Sequence, residues 1–227
     1  MTQFFFENIN SVQYSDNPLR VVYKIRQQWK ELIRPRIDLL DDQAPLVRLR
    51  EDIESQNPAK FLELMYGENV TACRLFLILG FDPNTVYEDE YMLEHAFSTF
   101  DNLFLDMLHF FGAYVNAEDK KGTNLLQKAV RSGIISSVRW LIEKGARVNY
   151  VNYNLETPLR DSLKFCKNLE ITELLIENGA EDSKFYVYAE KLLNDPEILS
   201  FFDKMSAENK VKFGVPDEMP EFVFVRL

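Results

Sequence analysis

The chain has 227 residues, of which 46% are apolar and 27% charged, a balance that excludes intrinsic disorder as the state of the whole chain. Lys plus Arg number 26 against 36 Asp plus Glu, leaving a net charge of −10. Such a balance argues against DNA, RNA or anionic lipid as the main ligand and favours a protein partner with a basic surface.

In chain order, Met1-Thr2-Gln3-Phe4-Phe5-Phe6-Glu7 has neither the basic start nor the apolar run of about 7–15 residues that a secretory signal needs. No apolar stretch approaches the ~20 residues of a membrane span, so the expected location is cytoplasmic. Cys73 and Cys166 form no C-x-x-C pair. They read as two buried free thiols in a reducing compartment, although sequence alone leaves a disulfide open. Residues 1–53 are expected to form a helical cap. Asn17-Pro18 opens one helix with Leu19, Val22, Ile25, Trp29 and Leu32 on one face, stopping before Pro35. A second helix is expected from Pro45 to about Ser55, with Leu46, Leu49 and Ile53 inward.

Beyond the cap, glycines punctuate the chain. Gly80, Gly112, Gly145 and Gly179 follow one another at spacings of 32, 33 and 34 residues, each after an apolar helical run. Their tails are Phe81-Asp82-Pro83-Asn84, Ala113-Tyr114-Val115-Asn116, Ala146-Arg147-Val148-Asn149 and Ala180-Glu181-Asp182. A period near 33 residues fits one helix–turn–helix–loop unit, and a unit that short must stack to bury its apolar faces. The best copy runs from Asp119 to Val151, with Gly122 in the turn, Leu126 and Ala129 in the first helix, and Val138, Trp140, Leu141 and Ile142 in the second. The next keeps Thr157-Pro158-Leu159, with one extra residue around Lys167-Asn168. The copy from about Val86 has Tyr91-Met92-Leu93-Glu94 in the corresponding place, and the weakest spans Glu54 to Thr85.

In register these four copies resemble the ankyrin repeat, with its D-x-x-G-x-T-P-L-H turn and helix start and its G-A-D-V-N close. Arg160 stands where the family has His. The resemblance implies an all-α ankyrin solenoid of helix–turn–helix units over residues 54–182, divided at about 54–85, 86–118, 119–151 and 152–182. Helical caps are expected at 1–53 and 183–227. In the second cap, Phe185 to Leu193 and a helix opened by Asp195-Pro196 are expected, and the apolar tail Pro220 to Val225 is expected to dock back on the domain.

Chemistry is hard to find in these residues. His95 and His109 have no partner at metal spacing, and His109 reads as a packed, hydrogen-bonded core residue. Phosphate-binding glycine loops and a nucleophile elbow are absent from the sequence. The carboxylate runs Asp41-Asp42, Glu88-Asp89-Glu90 and Glu181-Asp182 sit in predicted turns, where solvated charge is the ordinary condition. No enzymatic activity, cofactor or metal is expected.

The resemblance directs attention to the turn tips, where this family usually binds partners. The first tip carries Tyr87, Glu88, Asp89, Glu90 and Tyr91. The second carries Glu118, Asp119, Lys120 and Lys121. The third carries Tyr150, Tyr153, Asn154 and Glu156 beside Asn152. Tyrosines in polar turns supply large contact area at low entropic cost, as interface hot spots require, or else they pack on neighbouring tips. Both readings stay open at this stage. The expected function is a non-catalytic protein-binding module, monomeric when free. Its charge suggests an inhibitor or immunity-type protein that captures a basic toxin or enzyme; the alternative is an adaptor or secreted effector that bridges host proteins.

Overall fold

A computed structural model describes residue 27 and residues 51–98, 102–166, 168–182, 185, 196–205 and 207–215. The helix expected from Pro18, the first part of the one expected from Pro45, most of the one from Phe185, and the apolar tail lie outside the described residues. Two compact units divide the chain, residues 1–115 and 116–227. The described residues are mostly helical, as the repeat pattern predicts.

In the first unit, residues 51–54 are helical and Ile53 is buried. Next come α1 (Pro58–Tyr66), α2 (Val70–Ile78), the strands β1 (Val86–Tyr87) and β2 (Glu90–Tyr91), α3 (Met92–His95), a short 3-10 turn (Ala96–Ser98) and α4 (Leu103–Phe110). Local chemistry explains where these helices start. Asn57 caps α1 by accepting from the backbone N–H groups of Ala59 and Lys60, with Pro58 at the first helical position where no bond is lost. Asn69 caps α2 in the same way. The weakest repeat is held by aromatic packing: Phe61 stacks on Phe81 at 4.5 Å, and Phe76 meets both rings edge-on. Cys73 is a free, buried thiol, and burial pushes it up to about 12. His109 lies half-buried on α4.

The second unit holds α5 (Leu125–Ser132), α6 (Ile135–Glu143), α7 (Pro158–Asp161), α8 (Leu169–Glu177), α9 (Pro196–Lys204) and α10 (Ala207–Phe213). Thr157 caps α7 ahead of Pro158, Asn124 caps α5 and Asn168 caps α8. Trp140 on α6 is buried, as are Val138 and Leu141 beside it. A π-helical turn over Ser162–Cys166 continues α7. It absorbs the extra residue noted near Lys167-Asn168, because an i→i+5 turn holds one more residue than an α-turn. Ser162 and Thr172, both buried, share a 2.8 Å hydrogen bond that ties this turn to α8. Phe185, Phe202 and Phe213 form an aromatic cluster that joins α9 and α10.

The repeat has a structural signature in both units. Gly80, Gly112, Gly145 and Gly179 all have positive φ. After each, a backbone N–H bonds back to the second helix, as in Ala146 to Leu141 and Ala180 to Leu175, both 2.9 Å. Each tail asparagine then staples its copy to the next. The side-chain amides of Asn84, Asn116 and Asn149 donate to the carbonyls of Gly112, Gly145 and Gly179 at 3.1, 3.2 and 2.9 Å. Their side-chain oxygens accept from the N–H groups of Tyr114, Arg147 and Glu181 at 2.8, 2.9 and 2.8 Å.

Candidate functional site

The candidate residues fall on turn tips in both units. In the first unit β1 and β2 pair antiparallel, Val86 with Tyr91 and Tyr87 with Glu90. Two residues, Glu88 and Asp89, make the turn between them, at φ 53° and 65°. A two-residue turn with both φ values positive favours Asn-Gly or Gly-Gly, since a Cβ is crowded there. Here it presents two carboxylates instead. Glu88, Asp89 and Glu90 are exposed, whereas Tyr87 and Tyr91 are half-buried.

Beneath the hairpin stands His95, whose side chain is 10% exposed. Its Nε2 lies 3.3 Å from the carbonyl oxygen of Tyr87, its Nδ1 lies 3.1 Å from the Tyr66 hydroxyl, and Glu90 Oε2 is 3.5 Å from the same Nδ1. Burial, then the charges of Glu90 and Glu88, raise the Tyr66 phenol above its usual value. The hairpin is therefore a negatively charged surface with a histidine at its base.

In the second unit two tips share one architecture. Asp119 Oδ1 accepts from the N–H groups of Lys121 and Thr123 at 2.8 and 2.9 Å, while Gly122 N–H donates to the Asp119 carbonyl. Asn152 takes the same place in the next copy, accepting from Asn154 and Glu156 at 2.9 and 3.0 Å, with Leu155 N–H donating to its carbonyl. Leu155 thus stands where the preceding copy has Gly122, and both residues have positive φ, 60° and 70°. Leu155 is nevertheless 72% exposed, as is Tyr153. Among the described non-glycine residues with positive φ, Leu155 alone is apolar. A groove of about 890 Å³ opens beside it, lined also by Val151, Arg160, Glu181 and Val211.

The other predicted residues of this unit serve the scaffold as well as the surface. The Tyr153 ring lies over Gly122, where a Cβ would stand 2.8 Å from the ring. Partial burial, then its hydrogen bond to Glu118, push the Tyr150 phenol up to about 12. Lys120, Lys121 and Asn154 are exposed, whereas Glu118 is half-buried. Glu156 bonds Arg131 at 3.0 Å and also bonds Lys164. Burial would raise its carboxyl, but the hydrogen bonds from Lys164 and Asn152 and the charges of Lys164 and Arg131 outweigh it and hold Glu156 below the usual value.

Below that tip Asp161 is fully buried, accepting from Arg131 Nε and Gln127 Nε2, both at 3.0 Å. Desolvation wins over the Arg131 charge and lifts Asp161 to about 6. Arg131 and Lys164 flank the half-exposed Phe165 ring at 4.8 and 4.9 Å.

Leu155 and Phe165 were absent from the expected site. Leu155 carries a readable signal, a leucine at the turn glycine of Asn152-x-x-Leu155-x-Thr157-Pro158-Leu159, against Asp119-x-x-Gly122. Phe165 is exposed because of the π turn, which no short pattern announces. Among the described residues no group of His, Cys, Asp and Glu could hold a metal ion, and no helix is long and apolar enough to cross a membrane.

Residues 93–185 match the family model for ankyrin repeats, in three copies. No curated protein matches the chain. The first expected copy, residues 54–85, precedes the matched residues, yet it too has a pair of helices followed by a positive-φ glycine.

Proposed function

Because residues 93–185 are ankyrin repeats and such repeats imply protein–protein binding, we propose that this chain is a non-catalytic binding module whose turn tips grip a protein with a basic surface. The most specific form of this reading is an acidic inhibitor or immunity-type protein that covers a basic toxin or enzyme. The observation that carries the binding reading is Leu155. A leucine with positive φ costs on the order of 1–2 kcal/mol, and leaving it in water forgoes about 1.5–3 kcal/mol of burial. Within the free chain the Leu155 side chain stays mostly in water, 72% exposed. A partner that covers Leu155 and Tyr153 recovers the burial term.

Charge supports a basic partner. The first tip carries three adjacent carboxylates on a chain of net charge −10, and complementary charge raises association rates more than it slows dissociation. The partner, once isolated by affinity capture, provides the test. Reversing Glu88, Asp89 and Glu90 to Lys slows association and weakens its salt dependence, while Tyr153→Ala speeds dissociation by about fivefold or more. Unaltered rate constants in both variants would refute the tip surface.

A further inference from the structure

We propose that His95 is a positioning residue that makes the acidic hairpin a pH-dependent grip on Lys- or Arg-rich segments; this inference rests on the hairpin's being a binding surface. The argument begins with which atoms can donate. The Tyr87 carbonyl only accepts, so Nε2, 3.3 Å away, carries a hydrogen. In the neutral ring Nδ1 then has a lone pair, and it accepts the Tyr66 hydroxyl hydrogen at 3.1 Å. Glu90 Oε2, 3.5 Å from that nitrogen, meets an acceptor and gains no bond from it. Its carboxylate remains available to a partner.

Protonation reverses these roles. Nδ1 becomes a donor, Glu90 becomes its ionic acceptor, and Tyr66 loses the acceptor for its hydroxyl. One of the three carboxylates at the tip is then pinned to a positive ring at the hairpin's base, and the surface offered to a cationic segment loses charge. Imidazole is the side chain whose ordinary titration range lies between pH 5 and 8. The groups facing the ring are Tyr66 from α1 and Glu90 with the Tyr87 carbonyl from the hairpin; Glu88 adds its charge at the Tyr66 hydroxyl, and Glu94 precedes the ring on α3. Asp161 in the second unit also changes charge near 6, so variants rather than pH alone must assign the effect.

The experiment measures binding of fluorescein-labelled octalysine to the full chain by anisotropy, at pH 7.5 and 5.5 and constant low ionic strength. Wild type is expected to bind about 1.5- to fivefold more weakly at pH 5.5, the range spanned by single exposed charge pairs. His95→Gln keeps an N–H donor for the Tyr87 carbonyl but takes up no proton, so its affinity changes less with pH than that of wild type and keeps only what other groups such as Asp161 contribute. Glu90→Gln, a substitution at an exposed position, binds at pH 7.5 about as weakly as wild type does at pH 5.5, because the carboxylate that the charged ring would pin is already gone. A pH dependence in His95→Gln equal to that of wild type, or wild-type affinity of Glu90→Gln at pH 7.5, overturns the inference while leaving the hairpin surface intact. Failure of the binding-surface reading looks different: octalysine then binds the triple lysine reversal of Glu88, Asp89 and Glu90 as it binds wild type.

Discussion

The two units build their turn tips by opposite means around the same backbone difficulty. In the first unit Glu88 and Asp89 occupy left-handed positions and present carboxylates; in the second Leu155 occupies one and presents an aliphatic side chain. Each tip stands on a polar bracket. His95 and Tyr66 support the hairpin, while Arg131, Glu156 and Asp161 support the Asn152 turn. In the Asp119 turn, by contrast, a glycine sits at the left-handed position and the tip shows only polar side chains to solvent. Strain and exposed chemistry thus occur together, and the ordinary solution occurs where the tip is plain. Backbone strain retained at an exposed tip points to function.

The comparison presumes that both tips rest on packed helices. Trp140→Ala is expected to cost about 3–5 kcal/mol, measured by chemical denaturation, because the indole is buried on α6. A loss below about 1 kcal/mol would mean that the second unit tolerates a void where its tips need a rigid base.

The brackets differ in how they respond to acid. Asp161 holds its proton up to about 6 in the folded chain, against an ordinary value of 3.8. Between about pH 4 and 6 the folded state therefore binds more protons than the unfolded one, and this group makes stability fall as pH rises. Asp161→Asn removes that slope. Its stability relative to wild type should rise by about 2–3 kcal/mol between pH 4 and pH 7. A difference independent of pH would show that the Arg131 pair fully compensates the buried charge.

Two glycines separate strain from crowding. At Gly145, φ is 86° and a Cβ would meet nothing within 4 Å, so Gly145→Ala should cost only the left-handed term, about 1 kcal/mol. At Gly122, φ is 70° and the Tyr153 ring already fills the space. Gly122→Ala should cost about 1 kcal/mol more, and pairing it with Tyr153→Ala should restore the Gly145 value. Equal melting curves for the two alanine variants would detach Tyr153 from the turn beneath it.

Much of this was legible in the sequence. The glycine spacing gives the helix ends, and Thr157-Pro158 gives a helix start, because each motif answers a local stereochemical demand. Burial of Val138 and Leu141 follows from helical periodicity. Ile142, read on the same stripe, is half-buried, whereas Trp140, two positions from Val138, is buried on another side of the helix. The charges of Glu88, Asp89 and Glu90 were also readable, but the strain beneath them was not, since a two-residue turn with positive φ has no reliable signature without glycine or asparagine. The network joining Gln127, Arg131, Glu156 and Asp161 brings together residues up to 34 positions apart. Only the stacking of one copy on the next makes them neighbours, so no local pattern could announce it. Glu156 was read as a surface residue for the same reason.

The central claim is that Leu155 is kept at a strained, exposed tip for the sake of a partner. Leu155→Gly tests it most directly, with thermal unfolding of the free chain and dissociation of the isolated partner measured on the same protein. The account predicts that the variant is more stable by up to about 1 kcal/mol, since glycine relieves the left-handed strain, and that the partner leaves about fivefold faster or more. A less stable variant that holds the partner as long as wild type does would show that Leu155 serves the fold and not the interface.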